Sequence, residues 1–112
     1  MNLQNPKINA YNWLADMYND DYYPKSAVDK VKAVLLEVCQ NIEQQSPKTL
    51  NELYIITNQG VDKINDLQDD FGDESEIETV ARDCIGMDFD FVAKAYGFEN
   101  ADVEELIANR DW

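Results

Sequence analysis

Residues 26–45 read SAVDKVKAVLLEVCQNIEQQ and form the clearest helical pattern in the chain. Apolar side chains recur there every three or four residues, which is the spacing of one face of an α-helix. They are Val28, Val31, Leu35, Val38, Cys39 and Ile42. Ser26, with Asp29 three residues on, predicts a capping box at the start of this helix, and Pro47 predicts its end.

The same combination of a cap and an apolar stripe occurs at three further places. The caps are Thr49 with Glu52, Ser75 with Glu78, and Asp102 with Glu105. The helices that follow them should end near residues 71, 96 and 109, and an earlier helix is predicted over residues 8–18. Because caps and periodicity agree, we predict a single-domain all-α bundle of four to five helices over residues 1–112.

The composition excludes several kinds of chemistry. Histidine is absent, which excludes Ser-His-Asp and Cys-His catalysis and any metal site that needs imidazole. The 112 residues include 23 acidic and 9 basic side chains, for a formal net charge of −14. Such a charge repels nucleic acid and anionic membranes, so we expect neither as a partner. It attracts basic proteins instead. No cofactor is predicted.

The cysteines and the apolar segments indicate the cellular compartment. Cys39 and Cys84 lie on apolar helix faces, which favours small buried side chains with free thiols over a disulfide. No apolar segment at the N-terminus resembles a secretory signal, and no stretch approaches the roughly 20 apolar residues that span a bilayer. We expect a cytoplasmic protein.

Charge is distributed unevenly along the chain. Residues 1–65 carry 8 acidic and 6 basic side chains, whereas residues 66–112 carry 15 acidic and 3 basic ones, so the net charges are −2 and −12. The second half supplies a candidate docking face for a basic protein, formed by Asp66, Asp69, Asp70, Glu76, Asp83 and Asp90. Three of these crowd the end of the third predicted helix, where the helix dipole disfavours anions. Solubility alone is the competing interpretation.

Asp88 is the most informative single residue. On a helical wheel it falls near the middle of an apolar face formed by Ile77, Val80, Ala81, Cys84, Phe91, Val92 and Ala95. A buried carboxylate must be paired or hydrogen-bonded. Asp88 is therefore either a structural group satisfied by a tyrosine hydroxyl, a capping amide or a cation such as Lys30 or Arg110, or an acid with a raised pKa in a pocket.

Five aromatic residues lie within thirteen positions near the N-terminus. They are Tyr11, Trp13, Tyr18, Tyr22 and Tyr23. We expect these rings mainly to pack the first helix onto the bundle. The alternative is an exposed anchor cluster, because tyrosine and tryptophan dominate the binding energy of many interfaces.

The many acidic side chains raise the question of metal binding by carboxylates. If Gly72 is the sixth position of a calcium loop, Asp69 and Glu78 fall at ligand positions, but Leu67 and Phe71 occupy two others that need oxygen. We therefore predict no calcium site. Pairs of acids on a helix could still hold Mg²⁺, so a carboxylate-metal enzyme with its site in the bundle around Asp88 is the alternative function.

Several segments together resemble a known family. They are residues 19–24 (NDDYYP), 28–32 (VDKVK), 75–79 (SEIET), 88–89 (DF), 95–98 (AYGF), 104–107 (EELI) and 110–112 (RDW). The chain resembles a group of small acidic bacterial proteins known only as a domain of unknown function. The resemblance implies a bacterial cytoplasmic protein and supplies no activity. Members often carry a histidine where this chain has Asn58.

Small size, acidity and helical structure are typical of proteins that neutralise a basic toxin. We therefore predict a non-enzymatic protein-binding module of immunity or antitoxin type that docks a basic partner, such as a toxin. Opposite charges accelerate such association. The prediction is an analogy of class and not a motif match.

Overall fold

The structure, a computed structural model, describes residues 3–71 and 77–112, and all regular structure in these residues is helical. The elements are α1 (Pro6–Asn9), α2 (Ala15–Tyr18), α3 (Lys25–Gln45), α4 (Leu50–Asp66), a 3₁₀ turn (Gln68–Phe71), α5 (Thr79–Ala95) and α6 (Val103–Leu106). The predicted all-α class is confirmed. The six helices of these residues, three of them long, roughly match the predicted four to five.

Helices α3 and α4 make the most extensive contact in the fold. A glycine in α4 allows this close approach, since a Cβ atom on Gly60 would lie 2.4 Å from Cγ2 of Val38 in α3. The predicted cap of α4 is present. Thr49 Oγ1 accepts a hydrogen bond from the Glu52 amide at 3.1 Å, and Glu52 Oε1 accepts one from the Lys48 amide at 3.0 Å.

The predicted cap of α3 is wrong. The helix begins at Lys25, and Pro24 precedes it in extended conformation without a side-chain cap. Ser26 lies inside the first turn, because the fixed φ of proline already prepares the chain for a helix start. Asp29 is used elsewhere, since its Oδ1 accepts a hydrogen bond from the Tyr18 hydroxyl at 2.5 Å.

The single helix predicted over residues 8–18 is also wrong. Asn5 caps α1, which ends at Asn9, and α2 starts only at Ala15. Between them Leu14 adopts a left-handed conformation (φ 50°, ψ 40°) and directs its amide to Asp88. A contact with a distant residue thus interrupts the local helical periodicity.

The N-terminal end of α5 differs from the prediction, whereas its C-terminal end agrees with it. The helix begins at Thr79 with Glu78 as its cap, whereas the predicted cap Ser75 lies outside the described residues. At the other end, Gly97 has a φ of 91° and the Phe98 amide donates to the Ala93 carbonyl at 2.9 Å. This is the predicted left-handed C-cap.

The C-terminal segment is held by polar side chains of α4. The Tyr54 hydroxyl accepts from the Asp102 amide at 3.1 Å. Asn58 donates to the Glu105 carbonyl and accepts from the Asn109 amide, both at 2.9 Å. These bonds place α6 against α4 and α5 and create a groove beside α5.

Candidate functional site: the exposed face of α5

Helix α5 has a buried face and an exposed face. Ala81, Cys84, Ile85, Asp88, Phe89 and Val92 are buried. The opposite side carries Val80, Asp83, Met87 and Asp90 at spacings of three and four, which places them on one stripe of the helix. We call these four residues the α5 outer face. Val80 is 50% exposed and Met87 67% exposed.

The sequence wheel assigned Val80 to the buried side, and this was wrong. Val80 lies on the same side of the helix as the exposed Met87, because the buried side is centred nearer Ile85 and Asp88, while Ile77 packs inward from the segment before the helix. A signal for the outer face was nevertheless present in the sequence. Val80 and Met87 are seven residues apart, and each has an acid three residues on.

A groove of about 280 Å³ lies between α5 and α6, beside the outer face. Its apolar lining comes from Gly86, Met87, Val103 and Ile107. Gly86 allows α6 to lie close to α5, since a Cβ atom there would meet Val103 Cγ1 at 3.4 Å and Ile107 Cδ1 at 3.5 Å. We call this space the α5–α6 groove.

The acids of this groove come from both helices. Asp83, Asp90 and Glu104 line it together with Arg82 and Arg110. Both arginines bond to the chain itself. Arg82 Nε donates to the Trp112 carbonyl oxygen at 3.0 Å, and Arg110 donates to the Ile107 carbonyl and to Glu104.

The six residues of the predicted acidic face fall into two groups. Asp66 and Asp69 are exposed at the end of α4 and in the 3₁₀ turn, and Asp70 forms an ion pair with Lys30 at 2.8 Å. Asp83 and Asp90 lie on α5, where Asp90 pairs with Lys94 at 2.8 Å. Glu76 lies outside the described residues. Among the described residues of this set, only the two aspartates of α5 lie beside exposed apolar side chains.

Asp88 is buried, with 4% of its surface exposed. Its Oδ1 accepts a hydrogen bond from the Tyr11 hydroxyl at 2.6 Å, and its Oδ2 accepts one from the Leu14 amide at 2.8 Å. Burial raises the pKa of Asp88, although these two bonds oppose the shift. The candidate cations are engaged elsewhere, Lys30 with Asp70 and Arg110 with Glu104. Asp88 therefore anchors the segment between α1 and α2.

The aromatic residues pack rather than form one exposed cluster. Tyr11 stacks on Phe91 with ring centroids 3.8 Å apart, and Trp13 is buried with its ring edge-on to Tyr11. Tyr23 is buried edge-on to Phe71, and its hydroxyl donates to Glu78.

The two remaining tyrosines of that group lie nearer the surface. Tyr18 is half-buried and bonds Asp29. Tyr22 is 44% exposed and packs edge-on to Tyr23.

Both cysteines are buried free thiols. Burial raises the pKa of Cys39 to about 12 and also raises that of Cys84. Because the thiolate is the reactive form, neither side chain is prepared to act as a nucleophile. Cys84 and Asp88 line a small cavity of about 190 Å³ that Met87 also borders.

A cavity of about 620 Å³ lies between the N-terminal segment, the end of α3 and the end of α5. Glu43 lines it and accepts hydrogen bonds from the amides of Gln4 and Asn5 and from the Tyr96 hydroxyl. Burial opposes ionisation of Glu43, but these bonds prevail and lower its pKa. The carboxylate thus holds the N-terminal segment in place.

Within residues 3–71 and 77–112, no group of three histidine, cysteine or acidic side chains is arranged to hold a metal ion. The stretch that resembles a calcium loop lies partly outside these residues. Asp102 caps α6 by accepting a hydrogen bond from the Glu104 amide at 2.9 Å.

Comparison with known proteins places the chain among proteins without an assigned role. The model of a family of unknown function, DUF5713, matches residues 7–112 and confirms the resemblance noted in the sequence. No curated protein matches the chain, and no solved structure matches it. In the part of the chain that the structure describes, no helix is long and apolar enough to cross a membrane.

Proposed function

Since the chain belongs to this family of unknown function, we propose its function from its surface: it is a non-enzymatic protein-binding module that docks a basic partner through the α5 outer face. We place it in the immunity or antitoxin class and in the cytoplasm. The partner class is a basic protein, such as a toxin that binds nucleic acid and is positively charged for that reason.

One observation carries the proposal: exposed apolar side chains share the outer face of α5 with the exposed Asp83 and the half-buried Asp90. Among the described residues, four large apolar side chains are exposed, and two of them, Val80 and Met87, lie on this face. Solubility would be served better by polar residues at both positions. Methionine is enriched at protein interfaces, where its flexible side chain adapts to a partner.

The local charge supports a basic partner. Residues 79–112, which form α5, α6 and the segments around them, hold 8 acidic and 3 basic side chains. All three basic side chains already bond to the chain itself, through Trp112, Asp90 and Glu104. A basic protein would therefore meet a surface of net negative charge, and such complementarity raises association rates toward about 10⁸–10⁹ M⁻¹s⁻¹ at low salt.

Affinity capture from a lysate of the source cell, at low and high salt, tests the proposal. Asp83→Lys with Asp90→Lys reverses the charge of the α5 outer face. Asp66→Lys with Asp69→Lys is a matched control, because it changes the net charge by the same amount elsewhere on the surface. We expect wild type and the control to capture the same basic protein at low salt and the outer-face variant to lose it. Equal capture by all three proteins at both salt levels would contradict the proposal.

A further inference from the structure

We propose that the α5–α6 groove receives a large apolar side chain from a basic, amphipathic helical segment of the partner. This inference rests on the proposed function and deepens it, because it states what the bound segment looks like. The occupant follows from the size of the groove, the chemistry of its lining and the spacing of the acids beside it.

The size of the groove favours a side chain over a small molecule. Its volume of about 280 Å³ lies at the lower end of the roughly 300–1,000 Å³ of pockets that bind drug-sized ligands, so it holds one large side chain more readily than a larger ligand. Its apolar lining, which includes Gly86, Val103 and Ile107, offers a surface for one large aliphatic or aromatic group. Met87 borders the groove with 67% of its surface exposed, so a partner can bury the methionine as well.

The spacing of the acids favours a helix. Asp83 and Asp90 both line the groove and are seven residues apart on α5, about 10.5 Å along its axis at 1.5 Å per residue. A partner helix lying beside α5 would contact both aspartates if it carried two lysines or arginines seven residues apart. Its side chains three and four residues after the first basic residue would then face Met87 and the groove.

The arginines of the groove do not favour an acidic ligand. Arg82 and Arg110 each donate to backbone carbonyls, and Arg110 also pairs with Glu104. An acidic segment would have to break these bonds while approaching Asp83 and Asp90. A basic segment can pair with the exposed Asp83, share Asp90 with Lys94 and leave the arginines as they are.

The experiment uses two synthetic peptides of identical composition as probes. In one, lysines recur every seven residues and leucines fill one helical face, while in the other the order is scrambled so that no apolar face exists. Binding is measured by fluorescence anisotropy and located by amide chemical shifts in the full chain. We expect the amphipathic peptide to bind roughly ten-fold or more tightly than the scrambled one, with shifts concentrated in residues 79–95 and 103–107.

The variants separate the groove from the acids. Met87→Gln should weaken the amphipathic peptide by about ten-fold, whereas Ile55→Gln, which changes an exposed apolar residue of α4, should leave binding unchanged. One outcome overturns the groove inference and leaves the proposed function standing. In that outcome Asp83→Lys with Asp90→Lys weakens peptide binding, but Met87→Gln does not, and the scrambled peptide binds as tightly as the amphipathic one. If Asp83→Lys with Asp90→Lys changes neither the binding of the peptides nor the capture of the partner protein, the proposed function itself fails.

Discussion

Replacing Asp88 by alanine tests the role of a buried carboxylate. The change removes the acceptor of two hydrogen bonds, from the Leu14 amide at 2.8 Å and the Tyr11 hydroxyl at 2.6 Å. Leu14 is fully buried, so its amide finds no water, and an orphaned buried donor costs about 1–3 kcal/mol. The hydroxyl of the half-buried Tyr11 can turn toward solvent and therefore adds little to this free-energy cost.

We expect Asp88→Ala to lower the free energy of unfolding by about 1–3 kcal/mol, measured by urea denaturation. Asp83→Ala is the control, since an exposed substitution on the same helix usually changes stability by about 0.5 kcal/mol or less. A urea midpoint of Asp88→Ala equal to that of wild type would refute the anchoring role of Asp88.

The same site predicts a pH dependence. Burial raises the pKa of Asp88 in the folded protein above its usual value of 3.8, so the folded state binds this proton more tightly than the unfolded state. Its contribution to stability is therefore fully present below the unfolded pKa and is lost as pH rises through the folded pKa. Asp88→Asn does not titrate. The stability of wild type relative to Asp88→Asn should fall between acidic and neutral pH, and a constant difference would contradict the shift.

Three further predictions concern packing, thiols and metals. Gly60→Ala should destabilise the fold by about 1–3 kcal/mol in urea melts, because the new Cβ atom would overlap Val38; an unchanged midpoint would show that α3 and α4 do not pack this closely. Cys39 and Cys84 should react with a thiol reagent only after denaturation, since both are buried with raised pKa values; rapid reaction in the native state would contradict this. Calorimetric titration should show no Ca²⁺ or Mg²⁺ site tighter than about millimolar, and stoichiometric micromolar binding would favour the metal-enzyme alternative.

The sequence was sufficient for features that depend on neighbouring residues. The cap of α4 at Thr49, the left-handed end of α5 at Gly97 and the helical class all follow from spacings of a few positions. The wheel position of Asp88 also matches its burial, since that position depends only on the period of α5.

Features that depend on distant contacts were not predictable in this way. The break between α1 and α2 arises because Asp88, 74 residues away, accepts the Leu14 amide. The exposure of Val80 depends on which side of α5 packs against the fold, and the predicted apolar face lacks Ile85 and Phe89, which the structure buries. Asn58 binds the backbone of the C-terminal segment through contacts that no local pattern indicates.

Photo-crosslinking in the source cell tests docking at the α5 outer face most directly. A benzophenone amino acid replaces Met87 in one protein and Ile55 in the other, so that both probes occupy exposed apolar positions on different helices. We predict a crosslink to one basic protein from position 87 and none to that protein from position 55. No crosslink from position 87, or the same crosslinked protein from both positions, would contradict docking through this face.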